Sequence, residues 1–325
     1  MRILIVKTSS MGDIIHNLPI IEDILKYHPD SIFDWVVEES FAEILKLHPK
    51  INRIIPVAIR RWRKNLLSTE TWREIRHFIK QIRAFPYDFI IDSQSLFKSA
   101  IIASLAIGKL HGQDKRNARE FLAAFFYHHH HSVPRNQHAV SQNRQLASHV
   151  LGYPNPTFPP SYGLPRIPFG TDNNFDGLTL PEKYVMAFHS TSRESKLWPS
   201  ENWVRLGQRL ESIGLSLVLP WGNDQELARA HSIHSRLDKS IVLPRLGLGE
   251  LSRVSAGSIA AIGVDTGLIH LAVALNIPAI AIYTDTYPNL NGAFAAKDSI
   301  AINIGGKGQS PTPEEVFDSF AKLIS

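Results

Sequence analysis

The stretch Ile262-Gly263-Val264-Asp265-Thr266-Gly267-Leu268-Ile269-His270 predicts a β-strand that turns through a glycine into an α-helix. The apolar run that ends at Val264 is typical of a buried parallel strand, and the apolar pattern from 268 to 275 is helical. A helix that begins directly after a strand points its free backbone N–H groups and the positive end of its dipole at one place. This turn is therefore a candidate site for a phosphate or a diphosphate.

The composition is that of a globular protein of two-domain size. The chain has 325 residues, of which 44% are hydrophobic and 20% are charged, so two ordinary cores can form. No apolar run reaches the roughly 20 residues of a membrane-spanning helix, and residues 1 to 7 indicate a first strand rather than a signal peptide. The chain has no cysteine, which excludes disulfides, thiolate metal sites and a cysteine nucleophile and agrees with a cytoplasmic protein. The net charge of +5 favours an anionic partner such as phosphate, nucleic acid or an acidic membrane.

Strand and helix patterns alternate along most of the chain, which predicts parallel sheets with helices on both faces. The alternation stops at 153–181, where prolines and glycines recur. We therefore predict an α/β protein with a Rossmann-like domain at 1–152, a Pro-rich linker at 153–181 and a second Rossmann-like domain at 182–325. The last helix of the second domain is free to pack back on the first domain.

Two stretches of the first half have more than one interpretation. The residues from 117 to 127 predict a helix whose apolar side chains lie beside several cations: Lys115, Arg116, Arg119, Phe121, Leu122, Phe125 and Phe126. A buried helix face is the simpler interpretation, and a contact with a membrane surface is the alternative. The histidines at 128–131 are predicted to lie in a basic loop, because four adjacent histidines seldom converge on one metal ion.

The first predicted strand ends in a second strand-to-helix turn, Lys7-Thr8-Ser9-Ser10-Met11-Gly12-Asp13. Asp13 lies at the start of the helix, where a carboxylate is a common N-terminal cap. At the carboxyl end of a strand, the same carboxylate is also a candidate general base for an attacking hydroxyl.

A basic loop, Arg60-Arg61-Trp62-Arg63-Lys64, follows the third predicted strand. Guanidinium groups bind carboxylates and phosphates in bidentate fashion, which suits an acidic acceptor. A solvated surface loop or a nucleic-acid contact fits this pattern as well.

Two loops of the second half also follow predicted strands. The loop from His189 to Pro199 carries hydroxyls followed by Arg193 and Lys196, which suits a phosphate, although an ordinary connecting loop is equally compatible. In the loop from Pro220 to Glu226, either Asp224 or Glu226 can accept hydrogen bonds from a ribose. A capped helix start explains that second loop as well.

Taken together, these stretches resemble the lipopolysaccharide heptosyltransferases, which are inverting glycosyltransferases of the GT-B fold with two Rossmann-like domains facing each other across a cleft. The resemblance extends over nearly the whole chain. The pattern Asp-Thr-Gly-x-x-His at 265–270 marks the family. The turn at 7–13 and the loop at 59–64 are similar to those of members that add the first heptose to the Kdo region of lipid A.

The resemblance implies a role for each matched residue. Asp13 is the expected general base. The expected donor-binding residues are Thr191, Ser192, Lys196, Glu226, Leu246, Asp265, Thr266, Gly267 and His270. The expected acceptor-binding residues are Lys7, Thr8, Ser9, Ser10, Arg60, Arg61, Arg63, Lys64 and Arg119. The family commonly has threonine in place of Ser192, and methionine is also seen in place of Leu246.

The resemblance also implies the reaction and its partners. L-glycero-D-manno-heptose would pass from ADP-heptose to the Kdo region of Kdo-lipid A with inversion at the anomeric carbon. No metal or other cofactor, no nucleic acid and no second subunit is expected, and the site of action would be the cytoplasmic face of the inner membrane. The alternatives are a later-acting heptosyltransferase, another GT-B nucleotide-sugar enzyme such as an epimerase, and a non-catalytic protein that binds anionic ligands.

Overall fold

The computed structural model describes residues 1–168, 174–175, 178–297 and 299–324. The chain divides into two compact units, unit 1 (Met1–Gly163) and unit 2 (Leu164–Ser325). The division falls inside the predicted linker at 153–181. Residues 169–173 and 176–177 of that linker, and Asp298 and Ser325 of the predicted second domain, lie outside the described residues.

Unit 1 is built on a six-stranded parallel sheet. Its strands are β1 (Arg2–Val6), β2 (Ile32–Glu38), β3 (Ile51–Val57), β4 (Pro86–Asp92), β5 (Ile107–Gln113) and β6 (His129–His131). They lie in the order β3-β2-β1-β4-β5-β6, and every neighbouring pair is parallel. The strand order therefore reverses between β1 and β4, and ligands of such sheets bind beyond the carboxyl ends of the strands at this point.

The helices of unit 1 are short except for α5 and α7. They are α1 (Met11–Ile15), α2 (Pro19–Tyr27), α3 (Ala42–Lys46), α4 (Ile59–Trp62), α5 (Thr69–Ile82), α6 (Phe97–Ser104) and α7 (Ala139–Leu151), with 3-10 turns at Glu39–Phe41 and Phe121–Phe126. Side chains of α5 and α6 share one core with Leu4, Val6 and Val36 of the central strands. A buried ion pair joins α7 to α2, because Nε and Nη2 of Arg144 donate to Asp23 at 2.6 and 2.8 Å.

Unit 2 repeats the arrangement. Its sheet contains β9 (Tyr184–Phe188), β10 (Ser216–Leu219), β11 (Ser240–Val242), β12 (Ala260–Val264), β13 (Ala279–Tyr283) and β14 (Ala301–Gly305) in the order β11-β10-β9-β12-β13-β14. All neighbours are parallel, and the order reverses between β9 and β12. A two-stranded hairpin, β7 (Asn174–Phe175) and β8 (Leu178–Thr179), precedes this sheet.

The helices of unit 2 are α8 (Ser200–Ser212), α9 (Asp224–His234), α10 (Leu248–Ala256), α11 (Gly267–Ala274), α12 (Pro288–Asn291) and α13 (Pro313–Ile324). The closing helix α13 packs on α8 and β13. Its buried residues Val316, Phe320 and Leu323 belong to the hydrophobic core of unit 2.

The predicted fold class is confirmed, since both units are doubly wound parallel sheets, but several predicted elements are wrong. The helix predicted at 117–127 is a 3-10 turn at Phe121–Phe126, and three of the four histidines predicted as a loop, His129–His131, form the edge strand β6. Strands β5 and β14 were not predicted. Strand β5 escapes prediction because Gly108, Lys109 and Gly112 interrupt its apolar pattern. Gly112 is required by packing: a Cβ there would lie 2.2 Å from the ring of Tyr127.

Candidate active site

In unit 1, Asp13 lies in α1, just beyond the carboxyl end of β1 and beside the point where the strand order reverses. Its Oδ2 accepts hydrogen bonds from the backbone N–H of Ser10 at 3.0 Å and from the Ser10 hydroxyl at 2.9 Å. Its Oδ1 lies 4.0 Å from Nη1 of Arg119, and 27% of the Asp13 side chain is exposed. The carboxylate is thus held in place on one side and open on the other.

The charges around Asp13 favour its ionised form. Burial alone would raise the pKa of the carboxyl group, but Lys7, the hydrogen bonds from Ser10 and the charge of Arg119 together hold that pKa below its usual value. Burial in turn lowers the pKa of Lys7, against the attraction of Asp13. Asp13 is therefore a carboxylate at neutral pH, which is the form that can accept a proton.

The remaining residues of this turn hold β1 to the end of β4. Lys7 is 5% exposed and donates from Nζ to the carbonyl oxygen of Ser93 at 3.0 Å. The backbone N–H and the hydroxyl of Thr8 both donate to Oε1 of Gln94 at 2.7 Å. Nε2 of Gln94 donates to the Ser9 hydroxyl at 3.4 Å. The side chains of Lys7 and Thr8 are thus buried and form hydrogen bonds within unit 1.

Below this turn, the end of β4 is fixed by Asp92. Its carboxylate accepts from Ser99 at 2.8 Å and from the Tyr127 hydroxyl at 2.9 Å, as well as from the backbone N–H groups of Gln94 and Ser95. Asp92 is fully buried, and this burial raises its pKa despite the hydrogen bonds. Asp92 therefore supports Gln94 and, through it, the turn that carries Asp13.

The basic loop begins in α4, and its cations differ in their environment. Arg61 lies between two acids: Nε and Nη2 donate to Glu39 at 3.1 and 3.0 Å, and Nη1 donates to Glu74 at 2.9 and 2.8 Å. These hydrogen bonds raise the pKa of Arg61. Glu74 also accepts from Nε1 of Trp62 at 2.6 Å. Arg61 therefore fastens the loop to α5 and to the 3-10 turn after β2.

The other cations of the loop are exposed, as Arg61 is, and differ from it in their contacts. Arg60 lies over the ring of Phe41 at 5.6 Å, and its backbone N–H donates to Glu38 at 3.1 Å. The side chains of Arg63 and Lys64 are exposed as well. Arg60, Arg63 and Lys64 are consequently better placed than Arg61 to meet an anion from solvent.

In unit 2, a polar cluster around Asp265 lies where the strand order reverses, at the ends of β9 and β12. Oδ2 of Asp265 accepts from Nζ of Lys196 at 2.6 Å and from the hydroxyl of Thr286 at 2.7 Å. The hydroxyl of Thr191 donates to the backbone oxygen of Asp265 at 3.0 Å. The loop after β9, the end of β12 and the loop after β13 are thereby joined at one position.

The start of α11 completes this cluster. Thr266 is the N-terminal cap residue, with extended backbone, and Gly267 is the first residue of the helix. Both are half-buried, whereas His270 is buried one turn further on. The free N–H groups at the start of α11 and the ammonium of Lys196 supply positive charge to the same region, as a diphosphate site requires.

Three further predicted donor-binding residues are not among the side chains that hydrogen-bond Asp265. Oε2 of Glu226 accepts from the backbone N–H of Gly222 at 2.8 Å, while the backbone N–H of Glu226 donates to the side chain of Asn223, the cap of α9, at 3.0 Å. Leu246 is half-buried before α10, and the Ser192 side chain is exposed. Both interpretations of the 220–226 loop are thus compatible with the structure, because Asn223 caps the helix and Glu226 keeps a free carboxylate oxygen.

Several residues of these sites were missed by the sequence analysis: Glu39, Glu74, Gln94 and Thr286. For Thr286 and Gln94 a signal existed, since each follows an inner strand of its sheet and strand ends of a parallel sheet meet at one edge. For Glu39 and Glu74 no local signal exists, because their role depends on how α5 packs beside β3.

In the part of the chain that the structure describes, no group of three or more histidine or acidic side chains is placed to hold a metal ion. Likewise, none of the described helices has the length and apolar character that crossing a bilayer demands.

Comparisons with known proteins agree with this geometry. The sequence profile of glycosyltransferase family 9 (heptosyltransferase) matches residues 75–318. A lipopolysaccharide heptosyltransferase 1 from Pseudomonas aeruginosa is 43% identical over 296 residues, which cover 90% of this chain and 81% of that protein.

Two solved structures are similar over their full length. The Escherichia coli heptosyltransferase WaaC with ADP has a TM-score of 0.91 and 38% identity, covering 99% of this chain and 100% of the other. The same enzyme with ADP-2-deoxy-2-fluoro heptose has a TM-score of 0.88 and 38% identity, covering 99% of both chains. The chain therefore belongs to glycosyltransferase family 9, the heptosyltransferases, and it is a glycosyltransferase of the GT-B fold.

Proposed function

We propose that this enzyme transfers L-glycero-D-manno-heptose from ADP-heptose to the Kdo region of Kdo-lipid A, with inversion at the anomeric carbon. The similarity to proteins named lipopolysaccharide heptosyltransferase 1, at 43% identity in the Pseudomonas protein, supports the choice of reaction. The observation that carries the proposal is the cluster of Thr191, Lys196, Asp265 and Thr286 at the reversal point of unit 2. It combines positive charge for a diphosphate with a carboxylate and hydroxyls for a sugar.

Unit 2 is the proposed donor-binding unit. The diphosphate of ADP-heptose lies against Lys196 and the start of α11, whose positive charge stabilises the leaving ADP. Asp265 orients the Lys196 ammonium at 2.6 Å. Glu226 binds the ribose through its free carboxylate oxygen, and Leu246 lines the adenine pocket. Ser192 and His270 complete the proposed donor site.

Unit 1 supplies the proposed base. The acceptor hydroxyl attacks the anomeric carbon from the face opposite ADP, a new C–O bond forms there, and the bond from that carbon to the diphosphate oxygen breaks. Asp13 takes the proton of the hydroxyl, and the electron pair of the broken bond leaves with ADP. The lowered pKa of Asp13 keeps it ionised for this step.

The acceptor is anionic, and unit 1 offers it exposed cations. Arg60, Arg63, Lys64 and Arg119 are proposed to bind the Kdo carboxylates and the lipid A phosphates, because guanidinium and ammonium groups pair with both. Ser9 and Ser10 lie beside Asp13 and are proposed to contact the acceptor near the reacting hydroxyl. The buried side chains of Lys7 and Thr8 act on the acceptor through the turn that they support.

The proposal needs no metal, since Lys196 and the start of α11 offset the charge of the leaving diphosphate. It places the enzyme, as a monomer, at the cytoplasmic face of the inner membrane, where its acceptor is anchored.

The test is a transfer assay with purified enzyme. ADP-heptose is tested with three acceptor conditions: Kdo-lipid A, an acceptor that already carries the first heptose, and no acceptor. In parallel, other nucleotide-sugars replace ADP-heptose as the donor. We expect transfer to Kdo-lipid A alone, undiminished by EDTA. Transfer only to the heptosylated acceptor would assign a later step, and turnover of the nucleotide-sugar without acceptor would indicate an epimerase. Loss of activity with EDTA, restored by a divalent cation, would overturn the metal-free mechanism.

A further inference from the structure

Unit 1 exposes a group of large apolar side chains that its core does not use. The 3-10 turn at Phe121–Phe126 leaves Phe121 59%, Leu122 45% and Phe125 63% exposed, and Phe97 and Ile101 of α6 are 41% and 38% exposed. We call these five residues the aromatic patch. The buried face predicted for this segment is therefore wrong for three of its four apolar residues. Only Phe126 is partly buried, where its ring meets that of Phe97 edge-on with 5.6 Å between centroids.

The patch is held in an ordered position rather than on a loose loop. The backbone N–H of Glu120 donates to the carbonyl oxygen of Ser95 at 3.0 Å, and the Glu120 carboxylate accepts from the backbone N–H of Phe97 at 2.7 Å. Ala123 and Ala124, on the opposite side of the turn, are fully buried. Soluble proteins rarely keep exposed aromatic side chains together unless a partner covers them.

Cations border the patch. Nζ of Lys115 lies 4.2 Å from the centre of the Phe125 ring, and Lys98, Arg116 and Arg119 are also exposed. The acids nearby are occupied: Glu120 accepts from Phe97 as described, and Asp114 accepts from the backbone N–H of Arg116 at 3.0 Å and from Asn117. Exposed aromatic rings within a cationic border match the interfacial region of an anionic bilayer, where rings enter the headgroup layer and cations meet lipid phosphates.

The patch is continuous with the proposed catalytic base. Arg119 is two residues from Phe121, and its Nη1 lies 4.0 Å from Oδ1 of Asp13. A surface that adjoins the base is well placed to meet a membrane that presents the acceptor hydroxyl.

We propose that the aromatic patch inserts into the interfacial region of an anionic membrane and so docks unit 1 on the bilayer that holds the acceptor. The use of this contact, to bring Asp13 to a lipid-anchored acceptor, rests on the proposed function. The contact itself depends only on the patch and on the lipid.

The test is flotation of the full chain with vesicles that contain neither ADP-heptose nor Kdo-lipid A. Vesicles of phosphatidylethanolamine and phosphatidylglycerol are compared with vesicles of phosphatidylcholine. We expect binding to the anionic vesicles that weakens with added salt, because the cationic border is screened. The double variant Phe121→Ser/Phe125→Ser is expected to lower the partition coefficient about tenfold or more. The matched control, Ile213→Ser/Ile300→Ser, removes two apolar side chains of unit 2 that are 50% and 55% exposed and should bind like the wild type.

A second pair of measurements separates docking from folding. The variant Lys98→Glu/Lys115→Glu leaves the aromatic rings in place and should lose binding to the anionic vesicles. Transfer of heptose to a deacylated, water-soluble acceptor should be unchanged in both patch variants, which shows that unit 1 remains folded.

Three results would overturn the proposal. The first is equal binding of the wild type and the Phe121→Ser/Phe125→Ser variant, and the second is equal binding of that variant and the Ile213→Ser/Ile300→Ser control. The third is flotation that appears only when Kdo-lipid A is included. The last would assign the patch to the acyl chains of the acceptor. An enzyme that floats as expected but transfers no heptose would overturn the proposed function and leave the docking surface standing.

Discussion

Nζ of Lys196 lies 2.6 Å from Oδ2 of Asp265, and both side chains are mostly buried, with 18% and 15% exposed. The hydroxyl of Thr286 donates to the same carboxylate oxygen at 2.7 Å. An unpaired carboxylate beside a diphosphate would repel it, so Asp265 is tolerated there only while Lys196 offsets its charge. We infer that Asp265 positions Lys196 for the donor rather than acting as a catalytic acid.

This relationship predicts that two substitutions partly cancel. Lys196→Met should raise KM for ADP-heptose about tenfold or more and lower kcat, because the diphosphate loses a cation and meets an uncompensated anion. Adding Asp265→Asn removes that anion, so Lys196→Met/Asp265→Asn should bind the donor more tightly than Lys196→Met alone. Steady-state kinetics and calorimetry with ADP measure both effects. Lys183→Met, which alters an exposed lysine of unit 2, is the control. A double variant that binds the donor still more weakly than Lys196→Met would show that Asp265 contacts the donor independently of Lys196.

The second prediction concerns the base. Asp13→Asn keeps the size of the side chain but cannot take a proton, so kcat should fall about 10²- to 10⁴-fold while the affinity for ADP stays unchanged. Because Lys7, Ser10 and Arg119 hold the pKa of Asp13 below its usual value, the acid limb of kcat/KM should lie below the range of an ordinary aspartate.

Ser10→Ala supplies the comparison for this assignment. It removes the hydroxyl that donates to Oδ2 of Asp13 at 2.9 Å, so the pKa of Asp13 rises and the acid limb moves to higher pH. Near-normal transfer by Asp13→Asn would refute the base assignment. An acid limb that Ser10→Ala leaves in place would show that another group titrates.

The sequence predicted most of the fold because the buried strands of a parallel sheet are nearly continuous apolar runs and glycine or proline separates them from helices. The central strands β1, β4, β9 and β12 were all found in this way. The edge strands β6 and β14 were not, because their side chains are exposed or only partly buried and form no continuous apolar run. His129 and His130 are exposed and polar, and the pairing of β6 with β5 depends on tertiary contacts.

The sequence predicted part of the candidate sites but not all of their residues. Residues that follow central strands, such as Asp13, Thr191 and Asp265, were found because strand ends of one sheet meet at one edge. Their partners in space were harder to predict. Thr286 contacts Asp265 across 21 residues, and Glu74 contacts Arg61 from a helix that the sequence indicates but does not place.

The third prediction concerns Arg61, whose exposed guanidinium forms ion pairs with Glu39 and Glu74. If Arg61 acts by fastening the loop, Glu74→Gln should resemble Arg61→Ala: both should raise KM for Kdo-lipid A several-fold with little change in kcat. Arg63→Ala alters an exposed cation of the same loop and serves as the direct-contact comparison, whose KM effect should weaken steeply with added salt. Kinetics at two salt concentrations distinguish the two roles. If Glu74→Gln instead lowers KM, releasing Arg61 strengthens acceptor binding, and Arg61 is a direct ligand.

The last prediction concerns the pH dependence of stability and His189, which is fully buried at the end of β9. Its Nε2 lies 3.0 Å from the carbonyl oxygen of Pro220 and so carries the proton, and its Nδ1 accepts from the Ser190 hydroxyl at 2.8 Å. Burial, reinforced by the charge of Arg229, lowers the pKa of His189 to about 4. In the unfolded chain the same group titrates near its ordinary value of about 6.5. Between these values the unfolded state binds a proton that the folded state does not, so this contribution to stability is complete above about pH 6.5 and is lost as the pH falls toward 4. From pH 7 to pH 5 the loss amounts to about 2 kcal/mol.

His189→Gln cannot titrate, so its free energy of unfolding should change less over this interval by about that amount. Denaturation with urea at both pH values, followed by tryptophan fluorescence, to which the buried Trp198 and Trp203 of unit 2 contribute, measures the difference. His48 and His111, whose pKa values burial also lowers to about 4, remain in both proteins and cancel in the comparison. An equal pH dependence in the two proteins would show that folding leaves the pKa of His189 unchanged.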